Sequence, residues 1–192
     1  MRKVVLDDIL GLSAYEKVRQ EYRQKIIDLK KKRRISIGNK ISLVFENRDT
    51  VIFQIQEMLR AERVSDLDKI RDEITVYNEL IPAPSELSAT LFIEIEDQTN
   101  LRDDLLKFLG IDETVYLQVG DQRVQAAFEQ GRSKEDKISA VQYVRFQLNP
   151  EARKAFLDGE PVSLSVEHEN YKASCVLTAE AHNALAADLM DA

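Results

Sequence analysis

VSLSVEHENYKASCV, residues 162–176, decides the fold. Val162, Leu164 and Val166 alternate with polar residues, and Tyr171, Ala173 and Cys175 alternate on the way back. A period of two places each apolar set on one face of a strand. The pair therefore reads as an antiparallel hairpin, with Val166 opposite Ala173 and Leu164 opposite Cys175.

Working outward, residues 141–148 read as a strand. Asn149 then caps a helix, with Pro150 at its favoured first position, and Gly159 ends it. An earlier stretch shows the same order. Residues 91–95 form a strand, Asn100 caps a helix ending at Gly110, and Val115, Leu117 and Val119 enter a hairpin that returns through Val124, Ala126 and Phe128. In the register of the later hairpin, Val119 would face Ala126 and Leu117 would face Phe128. The inferred unit is β-α-β-β, present twice (86–129 and 138–178), with chance similarity of two ordinary stretches as the competing account. Residues 178–190 close the region as an alanine-rich helix. Alternating strands of this kind bury one face, so a mostly antiparallel sheet or half-barrel covered by helices is expected.

The N-terminal part is helical. Ser13 and Glu16 have capping-box spacing, and Tyr15, Val18, Tyr22, Ile26 and Leu29 form an apolar stripe, which predicts a helix over 13–33. Residues 35–37 and 41–45 flank Gly38-Asn39 as a small hairpin, with glycine first as in a type II′ turn. Helical spacing returns over 49–64, and Ser65 with Asp68 offers a cap for a helix to about Asn78. Pro82-Ala83-Pro84-Ser85 is the linker candidate. The expected class is α+β, with N-terminal helices and a hairpin in 1–82 and an antiparallel region in 86–192.

The chain has 192 residues, 44% hydrophobic and 32% charged, the composition of a folded soluble protein. A single cysteine, Cys175, excludes an internal disulfide framework and fits a reducing compartment. No apolar run approaches the roughly 20 residues that span a bilayer. The opening MRKVVLDDILGL meets aspartates too early for a signal peptide, so a cytoplasmic location without membrane attachment is expected. Net charge is −7, yet residues 17–40 carry ten Lys or Arg against Glu21 and Asp28. Such asymmetry invites a nucleic-acid reading through Lys30, Lys31, Lys32, Arg33 and Arg34, or docking of this segment on an acidic surface of the same protein or its dimer mate. Aromatics do not interleave with these cations, so a solvated helix end outweighs nucleic acid.

Motif chemistry is sparse. H-E-x-x-H, C-x-x-C, Walker and G-x-G-x-x-G patterns are missing, and the two histidines lack the carboxylate spacing of di-iron helices. In the predicted hairpin Cys175 lies four residues from His168, about 13 Å, too far to share an ion. No metal site or cofactor is expected. His182 lies in line with Leu185 and Leu189, as a packed helix histidine would. The densest polar constellation is Glu46 and Arg48 at a strand end with Gln54, Glu57 and Arg60 on the next helix. It reads as a ligand pocket, arginine holding an anion and a carboxylate serving as base, or as a salt-bridged joint between hairpin and helix. The joint carries more weight.

RISIGNKISLVFENRDTVIFQIQEMLRAERV, residues 34–64, resembles an uncharacterised bacterial family, domain-of-unknown-function family 3501. The likeness is clearest in Phe45-Glu46-Asn47-Arg48 and Gln54-Ile55-Gln56-Glu57-Met58. The resemblance implies a cytosolic protein and carries over no catalytic residues. It also implies gene proximity to rubrerythrin-like and iron–sulphur oxidoreductases, hence an accessory part in redox or oxidative-stress metabolism. The leading expectation is a non-catalytic accessory or interaction protein, a homodimer, with a redox protein partner. The alternatives are a small-molecule enzyme with a Glu/Arg pocket, and nucleic-acid binding by the basic helix end.

Overall fold

Tyr15, Ile26 and the half-buried Tyr22 pull α1, Leu12–Lys31, onto its neighbours. The computed structural model describes residues 1–95, 98–129, 133–134 and 137–191. The remaining helices are α2 (Arg48–Ala61), α3 (Leu67–Asn78), α4 (Leu101–Leu106), α5 (Pro150–Leu157) and α6 (Ala179–Asp191). The strands are β1 (Arg34–Ile37), β2 (Ile41–Phe45), β3 (Glu86–Ile93), β4 (Val115–Val119), β5 (Gln122–Gln125), β6 (Ala127–Phe128), β7 (Ser133–Lys134), β8 (Lys137–Ile138), β9 (Val141–Gln147), β10 (Val162–His168) and β11 (Tyr171–Val176). The α+β class expected from the sequence is the class observed.

The strands form two antiparallel sheets besides the small β7–β8 ladder, in the orders β1-β2-β3-β9-β6 and β11-β10-β4-β5. Their inward residues share one core. Ile41, Leu43 and Phe45 of β2 and Leu87, Ala89 and Leu91 of β3 join Leu117 of β4 and Leu164 of β10, with Phe156 of α5 and Leu185 of α6 closing it. The expected antiparallel sheet or half-barrel covered by helices takes the form of two antiparallel sheets sharing a core. Alternation identifies a buried face but not what buries it. The sheets approach at both margins: β5 runs into β6 of the other sheet, and β1 lies against β11. A second core, built on Val51, Ile55 and Leu59 of α2 with Ile74 of α3 and Ile81, unites the N-terminal helices. β2 pairs with β3, so regions 1–82 and 86–192 share one sheet across Pro82–Ser85.

The β10–β11 register is the one predicted, with Leu164 opposite Cys175 and Val166 opposite Ala173. The β4–β5 register is not. Leu117 faces Val124 and Val119 faces Gln122, leaving Gly120-Asp121 as a two-residue turn with Gly120 at φ 52°. That turn chemistry sets the pairing, and Phe128 crosses to β9 instead. The β1–β2 turn also differs. Ile37 pairs with Ile41, so three residues form the loop, because the Tyr171 hydroxyl bridges its ends.

Three caps shift. Gly11 occupies the N-cap of α1 without a side-chain bond, and Glu16 is taken by Arg60 instead. Asp66, not Ser65, caps α3 by accepting from the amides of Asp68 and Lys69. Asn100 makes no side-chain cap on α4, whereas Asn149 accepts from the Ala152 amide at 2.7 Å as expected. Among the described residues no helix is long and apolar enough to cross a membrane.

Candidate functional site

Ser42, Val44 and Glu46 share one face of β2 and its end by the period of two, on the side away from the main core. The pairings Val44–Thr90 and Thr90–Tyr143 extend this face across β3 and β9. The last turns of α1 overhang it. Between them lies a groove of about 440 Å³ lined by Ile27, Lys30, Lys31, Arg34, Val44, Glu46, Gln54, Thr90, Phe92, Val141 and Tyr143. That volume lies within the range of small-ligand sites, as does the mixture of apolar wall and few polar groups.

Glu46 is its innermost charged group, 3% exposed. Its Oε2 accepts from Thr50 Oγ1 at 2.5 Å and from Gln54 Nε2 at 3.0 Å, and its Oε1 accepts from Thr90 Oγ1 at 2.6 Å. Among the described residues no cation lies within salt-bridge distance of this carboxylate. Thr50 is held in turn because Asn47 caps α2, accepting from the Thr50 amide at 3.0 Å. At the groove's opening Arg34 reaches Glu94 at 2.7 Å and Lys31 reaches Asp28 at 2.8 Å, while Lys30 has no carboxylate in range among the described residues.

The predicted constellation divides in three. Glu46 and Gln54 line the groove. Arg48 turns away to form an ion pair with Asp8 at 2.5 Å, and the guanidinium beside it holds that carboxyl below the usual range. Glu57 faces α1, where Arg19 grips it through Nε and Nη2, both at 2.8 Å, and the Tyr15 hydroxyl donates to it at 2.7 Å. The Arg19 guanidinium lowers the Glu57 pKa, and burial with the Glu57 bond raises that of Tyr15. Arg60 pairs with Glu16 at 2.7 Å beside them. Arg48, Glu57 and Arg60 therefore act as joints between α2 and the elements packed on it. Thr50, Thr90, Tyr143 and the proximity of Lys30 escaped the sequence reading. The alternation Ser88, Thr90 inside an apolar strand was the only signal for Thr90.

The basic run is equally divided. Arg33 is 2% exposed, bonded to Asp188 of α6 and donating to the Phe45 carbonyl at 2.9 Å. It is not part of a solvated patch. Lys32 approaches Glu180 at 3.5 Å, so this segment does dock on acidic residues of its own chain.

His168 is buried, stacked on Phe108, and bound at Nε2 to the Leu109 carbonyl at 2.7 Å while Nδ1 accepts from the Asn170 amide at 3.2 Å. The Leu109 bond ties β10 to the segment after α4. Cys175 faces the core on β11, and burial pushes its thiol pKa up. His182 stacks on Phe156 with ring centroids 4.6 Å apart. Among the described residues no group of three His, Cys, Asp or Glu is placed to hold a metal ion.

Residues 3–189 match the family described as protein of unknown function DUF3501, and the chain belongs to that family. A crystal structure of a novel protein of unknown function from Burkholderia pseudomallei K96243 superposes with a TM-score of 0.92 at 35% identity, covering 98% of this chain and 100% of that one. The search of curated proteins found no match.

Proposed function

We propose that this family member is a non-catalytic binding protein, accessory to a redox partner as the family resemblance implies, and that its groove over β2, β3 and β9 holds a small anionic molecule. The observation that carries the binding reading is the groove itself, with Lys30 at its opening unpaired among the described residues and a buried carboxylate network beneath. An apolar cavity with a few fixed polar groups orients a ligand through those groups. Thermal-shift measurements with phosphate, acetate and longer carboxylates test this. At least one anion should raise the midpoint of the wild-type protein, and K30A/R34A should abolish the rise with little change in the ligand-free midpoint, since both side chains are partly solvated. A rise that survives K30A/R34A places the anion elsewhere.

A separate observation favours self-association. Val176 is 70% exposed and Met190 67% exposed, and both line one depression between β11 and α6 with Leu157, Pro161 and Leu177. Exposed apolar residues grouped in this way mark contact surfaces. Light scattering should give twice the 22.0 kDa chain mass for the wild type and the single chain mass for V176D/M190D. A monomeric wild type removes the dimer from the proposal.

A further inference from the structure

Among the described residues, two opposite charges in one groove lack a counter-charge. Burying a carboxylate without a counter-charge is costly, and buried acids are as a rule paired. Glu46 nevertheless has only neutral donors: two hydroxyls and one amide. An ionised carboxylate offers about four lone-pair positions. Oε2 accepts two of the described hydrogen bonds and Oε1 one, so one acceptor position on Oε1 is unused, and Glu46 lines the cavity. Lys30 lines the same cavity from α1 and has no carboxylate in range among the described residues. The two do not reach each other. Val44, Phe92 and Val141 form the wall of the groove that both line.

We propose that the ligand is a zwitterion, an amino acid with a short hydrocarbon spacer, its ammonium group seated on Glu46 and its carboxylate on Lys30 with Arg34 alongside. This rests on the groove reading above and adds the cationic end. A plain anion would leave Glu46 unpaired and bring negative charge toward it. A plain cation would leave Lys30 idle. A molecule carrying both charges on an apolar linker satisfies each end and covers the wall.

Titration calorimetry on the full chain tests this, with acetate, methylammonium, glycine, β-alanine, 4-aminobutyrate, 6-aminohexanoate and phenylalanine as probes. At least one amino acid should bind about tenfold or more tighter than acetate and methylammonium, the increment expected of one charge-assisted contact. Glu46→Gln should remove that advantage, and acetate should bind at least as tightly as before because the negative charge it approaches is gone. Because Glu46 is buried and its variant can fail to fold, Lys30→Glu supplies a second arm at a solvated position. It should shift the preference from amino acids to 1,4-diaminobutane. Acetate binding as tightly as the best amino acid, with no gain of diamine binding in Lys30→Glu, overturns the zwitterion and leaves the anion groove standing. Loss of all binding, acetate included, in the wild type overturns both.

Discussion

Arg33→Leu is expected to cost about 3–5 kcal/mol of folding stability, the usual effect of removing one member of a buried ion pair. Arg33 sits at the junction of α1 and β1, and its guanidinium serves three acceptors. It bonds the Asp188 carboxylate, the Phe45 carbonyl at 2.9 Å and the Glu46 carbonyl at 3.4 Å. With it gone, Asp188 is left buried without a cation beneath α6. The midpoint of thermal unfolding should fall by on the order of 10 °C for a chain of this size. Burial raises the Asp188 pKa even though the guanidinium opposes the shift, so desolvation outweighs attraction at this pair. The sign follows: a carboxyl raised in the folded state contributes stability at low pH that is lost as pH climbs through the raised value. Arg33→Leu with Asp188→Leu should therefore recover most of the loss, because two apolar side chains avoid both desolvation terms. Urea denaturation of the two single variants and the pair measures this. A double variant no more stable than Arg33→Leu alone shows that the three bonds, rather than the stranded carboxylate, set the cost.

What the sequence disclosed follows from how local each feature is. The β10–β11 register was legible because alternation on both arms and the two-residue Glu169–Asn170 turn agree. The β4–β5 register departs from that of the later hairpin because Gly120-Asp121 closes a two-residue turn directly after Val119. Two sheets rather than one could not be read from alternation. In β2 every residue is buried, so both of its faces are covered and alternation alone does not say by what. The site shows the same division. Glu46 and Gln54 were identifiable as polar residues at a strand end and on the following helix. Their companions Thr90 and Lys30 come from β3 and α1, and only the pairing of β2 with β3 and the overhang of α1 bring them together. Glu57 and Arg60, three apart, form one face of α2, but that face meets α1 and not the groove. Arg33 was misplaced for a related reason: a run of five cations looks solvated until β1 turns one of them inward opposite α6.

Gly38→Ala is expected to cost about 2–4 kcal/mol, combining the left-handed backbone penalty of a Cβ with overpacking. Gly38 has φ 68°, and a Cβ there would lie 2.3 Å from Tyr171 Oη and 3.0 Å from the Ala173 side chain. The tyrosine cannot simply swing away. Its hydroxyl donates to the Ile37 carbonyl at 2.6 Å and accepts from the Lys40 amide at 3.1 Å, which closes the β1–β2 loop and joins β1 to β11. Any displacement of the ring therefore opens the margin where the two sheets meet. The steric and backbone parts separate in a double-mutant cycle with Tyr171→Phe, which deletes the atom the new Cβ would strike. Tyr171→Phe alone should cost about 1 kcal/mol for the lost bonds. In that background Gly38→Ala should cost about 1–2 kcal/mol less than in the wild type, because the left-handed penalty remains while the closest clash disappears. Energies that simply add would show that the hydroxyl yields freely, leaving the backbone angle and the Ala173 contact to hold the glycine.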